Sequence, residues 1–462
     1  MAISRKGFSS RLGFVAAAAG SAVGLGNIWK FPYETAQNGG GAFLLLYLIC
    51  VVLIGFPVMM GEISLGRATQ TNPVGAYRKA AGPKWSWVGL IGVIGGMMIL
   101  SFYNVVAGWA FGYFIEISFG SLLSEPDHGA FFGAYVANIT DNLIFSMVFM
   151  VLTAVVVLRG IQGGIESASK LLMPLLFLIL IGLIIYALTL PNAMAGISYY
   201  LLPDFSKIQL STINSAMGQA FFSLSLGMGA LITYGSYIPK DDNVTASASI
   251  VTLADTAVAF LAGLLMLPLV FSSGEPPEAS GPGLVFTILP GIFHAMGPLV
   301  GRIVGGAFFL LLSVAALTST ISLLEVPVSY LVDDRKVGRK PAVIGIASII
   351  FIIGLPSMLS FGAVDWLSDI TYGGASHSFL DLINDVFSEV GLPLGGLIMS
   401  LLIVHRWGTN RMREELTNGN PAYPGSRVER FVRFTLTYIS PVLLGFIFIS
   451  NLMEKFFGIS VF

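Results

Sequence analysis

Long segments with almost no charged residues dominate this 462-residue chain and restrict what it can fold into. A helix of about 20 apolar residues spans the hydrocarbon core of a bilayer, and segments of that length recur along the chain. Only 11% of the residues are charged, whereas a typical soluble domain has about 25%. The pattern predicts an all-α polytopic membrane protein and excludes a soluble enzyme, a nucleic-acid-binding protein and a disordered scaffold.

Breaks at polar, proline and glycine clusters divide the chain into eleven predicted spans. No cleavable signal peptide is expected, because the polar and basic N-terminal stretch runs directly into the first span. The predicted spans cover residues 11–37, 41–66, 88–122, 143–159, 165–188, 211–238, 244–271, 298–332, 340–355, 377–405 and 431–453.

The basic residues predict how these spans are oriented. Twenty of the 24 lysines and arginines lie in the N-terminal stretch or in the loops that alternate onto its side of the membrane. Because basic loops stay in the cytoplasm, the N-terminus is expected there and, after eleven spans, the C-terminus is expected outside. The expected location is the plasma membrane, which is the inner membrane of a bacterium.

Two spans contain a polar, glycine-rich patch in their middle. Span 1 contains GSAVGLGN at residues 20–27, and span 6 contains SLSLGMG at residues 223–229. An interior glycine costs about 1 kcal/mol relative to alanine, so both helices are expected to unwind there. The two spans are five apart and correspond if spans 1–5 and 6–10 are repeats, a pattern typical of transporter sites at the membrane midplane.

Unwound backbone indicates the kind of ligand that such a site would take. Freed carbonyl groups suit a cation and helix N-termini suit an anion, so a zwitterion accompanied by a metal cation satisfies both. The alternative is that the glycines only permit close helix packing, because Gly20 and Gly24 have the spacing of a small-residue contact.

Other kinds of chemistry have little support in the sequence. The single cysteine, Cys50, excludes an intramolecular disulfide and a cysteine-based zinc site. The net charge of −1 indicates no polyanionic partner, and no nucleophile–base pair suggests an enzyme. Four scattered histidines make no metal cluster: His128, His294, His377 and His405.

Residues 22–33, AVGLGNIWKFPY, and residues 38–43, NGGGAF, resemble the first-helix signature of the neurotransmitter:sodium symporter family. The resemblance continues at residues 102–104, 219–237 and 315–320, covers nearly the whole chain and is closest in span number to the bacterial eleven-helix amino-acid transporter branch. It implies a single transporter domain with inverted five-helix repeats (the leucine-transporter fold), discontinuous helices 1 and 6, and an eleventh helix. Repeat one would cover 11–188, repeat two 211–405 and helix 11 residues 431–453.

The resemblance implies two sodium ions held by oxygen ligands, as a hard cation requires. For the second site, the alternative is that Thr318 and Ser319 bond only to their own helix backbone. The first ion would be held by Ala22, Asn27, Ser223, Asp255 and the carboxylate of the substrate. The second ion would be held by Gly20, Val23, Ala315, Thr318 and Ser319.

The resemblance also implies a central amino-acid site. Phe222 over Tyr103 would form an aromatic lid, and a side-chain pocket with a flexible methionine favours a hydrophobic or aromatic amino acid. The substrate carboxylate would meet the amides of Leu25 and Gly26 and the Tyr103 hydroxyl. The ammonium would meet Ser225 and the carbonyls of Ala22, Phe222 and Ser223. The side chain would meet Ile99, Phe222, Met228, Ser319 and Leu323.

Asp255 stands where many relatives have asparagine, and this difference predicts chloride independence. Of the five side chains around the anion in chloride-dependent relatives, Tyr47, Gln219 and Ser223 are present, but the last two positions are Asp255 and Ala259. A fixed carboxylate can supply the negative charge that chloride would bring. The alternative is a buried aspartate kept neutral by desolvation.

Two gates are implied at the ends of the pathway. At the outer gate Lys30 replaces the usual arginine, and its expected partner position is Asn384, flanked by Asp381 and Asp385. Lysine lacks the bidentate fork of arginine, so we expect this salt bridge to be weaker than that of relatives or differently paired. At the inner gate the resemblance pairs Arg5 with Asp333, beside Phe8 and Tyr237.

Other intramembrane positions have structural interpretations. Glu62 would support the unwound part of helix 6, and Glu325 would be a structural partner within span 8. In span 5, Gly164 and Pro174 have a spacing seen in relatives, and the proline either unwinds the helix locally or makes a static kink.

Together these features predict a sodium-coupled, chloride-independent symporter of hydrophobic or aromatic amino acids that works by alternating access. The alternatives are a sodium-independent or proton-coupled carrier of the same fold, or an amino-acid sensor that does not transport. Its expected partners are the amino acid and the lipid bilayer, with no nucleic acid and no obligatory protein partner.

Overall fold

The computed structural model describes residues 7–274 and 282–459, and the fold is almost entirely helical. The first half of the chain contains α1 Arg11–Ala22, α2 Gly26–Gln37, α3 Gly41–Thr69, α4 Pro73–Ala81, α5 Pro83–Phe119, α6 His128–Ala137, α7 Ile139–Leu158, α8 Ile161–Ala187 and α9 Ala193–Leu201. Short turns of 3₁₀ helix lie at Leu122–Ser124 and Phe205–Lys207.

The second half contains one small hairpin among its helices. Its strands β1 Ile370–Tyr372 and β2 Ala375–His377 pair antiparallel, with Ile370 opposite His377. The helices are α10 Leu210–Ser223, α11 Ala230–Gly235, α12 Val244–Ser273, α13 Ile288–Ala295, α14 Pro298–Asp333, α15 Arg339–Leu359, α16 Asp365–Ser368, α17 Phe379–Thr417 and α18 Arg427–Phe457.

The helices follow the predicted spans closely. Within the described residues, nine helices are long and apolar enough to cross a membrane, and α1 with α2 makes a tenth span that bends by 50°. The remaining predicted span, 211–238, consists of the two separate helices α10 and α11. The fourth span is longer than predicted because Asn138, whose side chain accepts from the backbone amides of Thr140 and Asp141, caps it at Ile139.

Several short helices outside the spans were not predicted. The helix α4 begins with Pro73 at its first position, and the Asn72 side chain caps it by accepting from the Gly75 amide at 3.1 Å. Helices such as α4, α6, α9 and α13 are too short to give a hydropathy signal, and they lie in the connections between spans.

The long helix α14 forms the centre of the bundle. It packs against α1, α5, α7, α8 and α15, and most of its side chains are buried. By contrast, α7, α8 and α18 expose large apolar side chains outward, including Leu178 at 70% and Val442 at 68%. A belt of exposed apolar residues on the outside of a helical bundle is the arrangement that a bilayer requires.

The loops fall into two groups at opposite ends of the bundle. At one end, which we call the basic end, Arg67 pairs with Glu415 at 2.7 Å and Arg11 lies 3.8 Å from Asp242. At the opposite end, Lys455 lies 3.6 Å from Asp385. Arg11 and Arg67, which the sequence assigns to the same side of the membrane, therefore both pair with carboxylates at the basic end.

Candidate functional site

Span 1 unwinds where its glycine-rich patch lies. The helix α1 ends at Ala22, Val23 is extended with φ −70° and ψ 110°, and α2 starts at Gly26. Two backbone amides freed by the break find side-chain acceptors: Gly24 N donates to Asn27 Oδ1 at 3.0 Å and Leu25 N donates to Tyr103 Oη at 2.9 Å. The break is therefore stabilised by polar groups, as a backbone interruption inside a bilayer requires.

Span 6 unwinds between Ser223 and Ala230. Three residues there have positive φ, namely Ser225 at 54°, Gly227 at 83° and Gly229 at 79°. The Gly227 amide donates to Glu62 Oε1 at 2.7 Å, which is the supporting role expected for Glu62. The Ser225 hydroxyl donates to the Ser21 carbonyl at 2.8 Å, so the breaks of spans 1 and 6 contact each other directly.

A small cavity lies between the two breaks. It has a volume of about 30 Å³, which is room for about one water molecule. Of the predicted substrate residues, only Leu25 is absent from its wall, and Leu25 lines the adjoining cavity instead. Ser21 and Gly24 line the cavity but were not predicted as substrate contacts. The full lining is Ser21, Ala22, Gly24, Gly26, Ile99, Tyr103, Phe222, Ser223, Ser225, Met228, Ser319 and Leu323.

Gly24 is required by the close approach of other helices at this cavity. A Cβ at this position would lie 2.7 Å from Tyr103 Oη and would collide with Ser319 Oγ. Spans 1, 3 and 8 therefore meet at a point where only a glycine fits.

An aromatic pair separates this cavity from a second one toward the opposite end. The second cavity has a volume of about 150 Å³, and Tyr103, Phe222 and Gly26 line both cavities. Lys30 Nζ lies 4.9 Å from the centre of the Phe222 ring, a distance at which a cation and an aromatic face attract. Phe222 and Tyr103 therefore lie between the two cavities.

The residues expected at the first sodium site form one buried cluster around Asp255. This carboxylate accepts from Asn27 Nδ2 at 2.7 Å and from Ser223 Oγ at 2.8 Å, and Asp255 is fully buried. Tyr47 Oη lies 3.5 Å from Ser223 Oγ. The Asn27 oxygen accepts from Gly24, so it would face a cation beside Asp255 only after the amide group turned by half a rotation.

The residues expected at the second sodium site also converge. Thr318 Oγ1 lies 3.2 Å from the Val23 carbonyl and 2.9 Å from the Ala315 carbonyl, and Ser319 Oγ lies 3.4 Å from the Val23 carbonyl. Gly20 packs against Thr318, since a Cβ on Gly20 would lie 3.3 Å from Thr318 Cβ. The carbonyl and hydroxyl oxygens of this cluster are uncharged, and such ligands suit a hard cation of low charge.

Two other residues compared with a chloride site, Gln219 and Ala259, lie in spans 6 and 7. Gln219 Nε2 donates to the Gly26 carbonyl at 2.8 Å, which joins span 6 to the break in span 1. Ala259, one turn beyond Asp255, is buried and offers no hydrogen-bond donor to an anion.

The outer-gate lysine has a different partner from the one expected. Lys30 Nζ lies 2.5 Å from Glu389 Oε1, whereas Asn384 and Asp381 line the same cavity without forming this ion pair. The helix is widened over Asp385–Val390, and a turn closed by i→i+5 hydrogen bonds brings position 389 onto the face of position 384. Residue spacing for a regular helix could not show this alignment.

The expected inner gate is only partly within the described residues, because Arg5 lies outside them. Asp333 Oδ2 accepts from the Asn72 amide at 3.1 Å. Phe8 is buried, packs edge-on against Tyr237 with ring centres 6.3 Å apart, and donates its amide to the Tyr237 carbonyl at 3.1 Å.

A buried ion pair near this gate was missed by sequence reasoning. Arg339 donates to both oxygens of Glu325, at 3.1 and 2.6 Å, and Tyr237 Oη donates to Glu325 at 2.7 Å. Glu325 therefore has the structural role that the sequence suggested. The residue that it pairs with, Arg339, lies at the start of the next span. A bidentate arginine–carboxylate pair is among the strongest side-chain hydrogen-bonding arrangements.

The N-terminal segment is also held to span 5 at the basic end. Glu166 accepts from the Ser9 amide at 2.8 Å and from Lys170 Nζ at 2.6 Å, and Gln162 donates to the Gly7 carbonyl at 2.9 Å. Glu166 lies between Gly164 and Pro174, so the region of span 5 with the unusual spacing contacts the N-terminal segment.

The structure resembles a solved structure. It matches the solved structure of MhsT in complex with L-phenylalanine with a TM-score of 0.88 and 44% identity, covering 97% of this chain and 100% of MhsT. The match assigns the leucine-transporter fold, with inverted five-helix repeats, discontinuous helices 1 and 6, and an eleventh helix.

Sequence comparisons agree with this fold. A sodium-dependent transporter of Bacillus subtilis (strain 168), YhdH, is 39% identical over 96% of this chain and 97% of its own length. The sodium-dependent serotonin transporter of Drosophila melanogaster is 29% identical over 97% of this chain and 76% of its own length. The model of the sodium:neurotransmitter symporter family matches residues 5–126 and 135–457. The chain therefore belongs to the sodium:neurotransmitter symporter family, whose members are sodium-dependent transporters and not enzymes.

Proposed function

We propose that this protein is a sodium-coupled, chloride-independent symporter of hydrophobic or aromatic amino acids that works by alternating access. The observation that supports this most strongly is the direct contact between the breaks of spans 1 and 6, linked by Ser225 Oγ and the Ser21 carbonyl at 2.8 Å. Backbone polar groups, hydroxyls and the carboxylates of Glu62 and Asp255 meet at these breaks inside a largely apolar bundle, where an ion and a zwitterion can bind together.

The lining of the cavity favours an apolar substrate side chain. The lining includes the apolar side chains of Ile99, Met228 and Leu323 together with the polar groups of Tyr103, Ser225 and the unwound backbone. With a volume of about 30 Å³, the cavity has no room for an amino acid while its side chains keep this arrangement. Binding an aromatic amino acid requires those side chains to move, and methionine is the side chain best able to repack. MhsT, which has 44% identity to this chain, was solved with L-phenylalanine.

Two sodium ions are co-transported in this proposal. The first would bind beside Asp255 with Ser223, Asn27 and the Ala22 carbonyl, adjacent to the substrate carboxylate. The second would bind among the neutral oxygens of Gly20, Val23, Ala315, Thr318 and Ser319. Both clusters include backbone of span 1 at its break, so ion binding and the shape of the substrate site depend on the same segment.

Chloride independence rests on Asp255. Its carboxyl oxygens lie 3.0 and 2.8 Å from Ser223 Oγ, so in its ionised form Asp255 supplies a fixed negative charge next to the first ion cluster. A bound anion at that place would be repelled by the carboxylate, and Ala259 offers it no hydrogen bond.

Alternating access would use the contacts at the two ends. Lys30 with Glu389 and Phe222 with Tyr103 close the pathway at the opposite end, whereas Phe8 and the Glu325–Arg339 pair close it at the basic end. The excess of basic residues places the basic end in the cytoplasm, with the N-terminus inside and the C-terminus outside.

Equilibrium binding of a panel of labelled amino acids to the purified protein tests the substrate and the ion. Phenylalanine, tryptophan, leucine and valine are compared with aspartate and lysine, each in sodium chloride, potassium chloride and sodium gluconate. We expect saturable binding of the apolar members in both sodium salts and at least about ten-fold weaker binding in potassium, which corresponds to about 1.4 kcal/mol.

The outcomes separate the alternatives. Binding that is equal in sodium and potassium but changes with pH would favour the sodium-independent or proton-coupled carrier. Binding in sodium chloride that is lost in sodium gluconate would contradict the role given to Asp255. Preference for aspartate or lysine would contradict the assignment of an apolar substrate.

A further inference from the structure

A cavity at the basic end lies outside the transport pathway. It has a volume of about 460 Å³ and is bounded by α4, the start of α5 and the end of α14. Its polar half consists of the lining residues Arg78, Ser86, Tyr330, Asp334 and Arg335, and its apolar half consists of Val74, Trp87 and Leu90. None of the proposed ion, substrate or gate residues lines this cavity.

The polar half of the cavity has an excess of positive charge. Arg78 forms a bidentate pair with Asp334, with both bonds at 3.0 Å. Burial alone would raise the pKa of Asp334, but hydrogen bonds from Arg78 and Asn72 outweigh it and hold the pKa below the usual range for a carboxyl group. Asp334 is therefore charged at neutral pH, and its charge is matched by Arg78.

Arg335 supplies the positive charge that remains. Its Nε donates to Tyr330 Oη at 3.1 Å and its guanidinium lies 5.7 Å from the centre of the Tyr330 ring. Its side chain is exposed, and within the part of the chain that the structure describes it forms no ion pair with a carboxylate. The other guanidinium donors of Arg335 are therefore available to an anion.

The other half of the cavity is apolar and continuous with the outer surface of the bundle. Trp87 is 50% exposed, and the exposed side chains of Leu90, Ile91 and Ile94 continue along α5 from the basic end toward the middle of the span. Tryptophan at the end of a span is typical of the interface between lipid headgroups and acyl chains.

We infer that this cavity binds one anionic phospholipid, with its phosphate at Arg335 and its acyl chains along the exposed face of α5. Basic pockets between membrane helices bind anionic headgroups, and each basic residue near an anionic surface contributes to the attraction. A soluble anion would use only the basic half, and a zwitterionic lipid would gain less from the excess charge. The combination of both halves selects a lipid with a negatively charged headgroup.

Native mass spectrometry of the full chain in detergent tests this inference. The protein is titrated separately with dioleoylphosphatidylglycerol, dioleoylphosphatidylcholine and glycerol 1-phosphate, and bound molecules are counted. We expect one phosphatidylglycerol to be retained more strongly than phosphatidylcholine, and glycerol 1-phosphate to be retained weakly. Arg335→Gln should weaken phosphatidylglycerol binding by about five-fold. The matched control Arg411→Gln removes an exposed arginine elsewhere at the basic end and should change nothing.

Three results would overturn the inference. Equal retention of the two lipids would show that charge plays no part. Retention of glycerol 1-phosphate as strong as that of the lipid would identify a phosphate site and not a lipid site. Unchanged phosphatidylglycerol binding in Arg335→Gln, with both variants showing the wild-type unfolding temperature, would place the lipid elsewhere.

Discussion

Asp255 is the residue at which the proposed ion and anion chemistry meet. Its carboxylate lies within hydrogen-bonding distance of Ser223 and Asn27, and Ser223 in turn lines the cavity between the two breaks. The position explains how one side chain can serve both as a sodium ligand and as the fixed negative charge of the site.

Replacement of this charge gives the first prediction. Asp255→Asn should lower sodium-driven uptake by about 10- to 100-fold, because a charge-assisted contact worth about 1.5–3 kcal/mol is lost. Adding Ala259→Ser to Asp255→Asn restores the set of side chains found around chloride in dependent relatives. We expect that double variant to recover part of the uptake in chloride but not in gluconate, and recovery that is equal in the two salts would contradict the account.

Glu389 gives the second prediction. Its pair with Lys30 is largely buried, with side-chain exposures of 19% and 16%, so Glu389→Gln leaves a lysine charge without its partner. We expect a loss of about 1–3 kcal/mol in stability, because unpaired buried charge is costly. The measurement is thermal unfolding in detergent, and Glu454→Gln, an exposed carboxylate at the same end, should shift it by less than about 0.5 kcal/mol. Equal losses of stability in the two variants would contradict the assignment of Glu389 as the partner of Lys30 in the outer gate.

Residues on the unwound segments could be predicted from sequence, but ion pairs between spans could not. The glycine-rich motifs determine where the backbone breaks, so Ala22, Ser223 and their neighbours had to lie together. The pairs of Lys30 with Glu389 and of Glu325 with Arg339 depend on a widened helical turn and on side-chain reach across helices. Neither property is visible in residue spacing.

The break in span 6 is the element that most depends on glycine. Gly227 has a φ of 83°, and a Cβ there would collide with the Leu392 carbonyl. Gly218, in the helical part of the same span, has no heavy atom within 4 Å of an added Cβ. The two glycines thus differ in what the fold requires of them.

This difference gives a third prediction. Gly227→Ala should destabilise the protein by about 2 kcal/mol or more, from left-handed strain of about 1–2 kcal/mol plus the collision. Gly218→Ala should be neutral or stabilise the helix by up to about 1 kcal/mol. Thermal unfolding in detergent compares the two variants with the wild type. Comparable stability of both alanine variants would mean that the break does not have the geometry described.

At the scale of elements, hydropathy predicted the spans but not the short helices between them. A membrane span needs about 20 apolar residues, and this requirement makes α3, α5 and α14 recognisable. The helices α4 and α13 have only a turn or two of mixed residues, and capping and contact with the spans define them. The cavity proposed to bind an anionic phospholipid lies beside α4. It could not be predicted from the sequence because α4 itself was not predicted.

At the scale of the whole molecule, the second ion cluster joins span 1 to span 8. The Val23 carbonyl comes from span 1, whereas Ala315, Thr318 and Ser319 come from α14 at the centre of the bundle. An ion bound there connects a discontinuous helix to the central helix, so ion binding should stabilise the molecule as a whole.

The fourth prediction follows from this connection. Replacing potassium by sodium should raise the unfolding temperature in detergent, since a ligand at 100 times its Kd stabilises the folded state by about 2.7 kcal/mol. Thr318→Ala should reduce this sodium-specific gain by at least half. The control Thr320→Ala removes a hydroxyl that bonds Thr153 at 2.8 Å. It should lower the unfolding temperature in potassium without changing the rise that sodium causes. If sodium raises the unfolding temperature of Thr318→Ala as much as that of the wild type, the assignment of the second sodium site is contradicted.

The most direct test of the account is uptake of labelled phenylalanine into proteoliposomes containing the purified full chain. An inward sodium gradient is compared with an equal potassium gradient and with sodium gluconate, with protein-free liposomes as the background. We predict uptake above equilibrium that requires sodium and is unchanged when gluconate replaces chloride. Uptake that proceeds equally in potassium would contradict sodium coupling, and sodium-dependent binding without uptake would identify a sensor instead of a symporter.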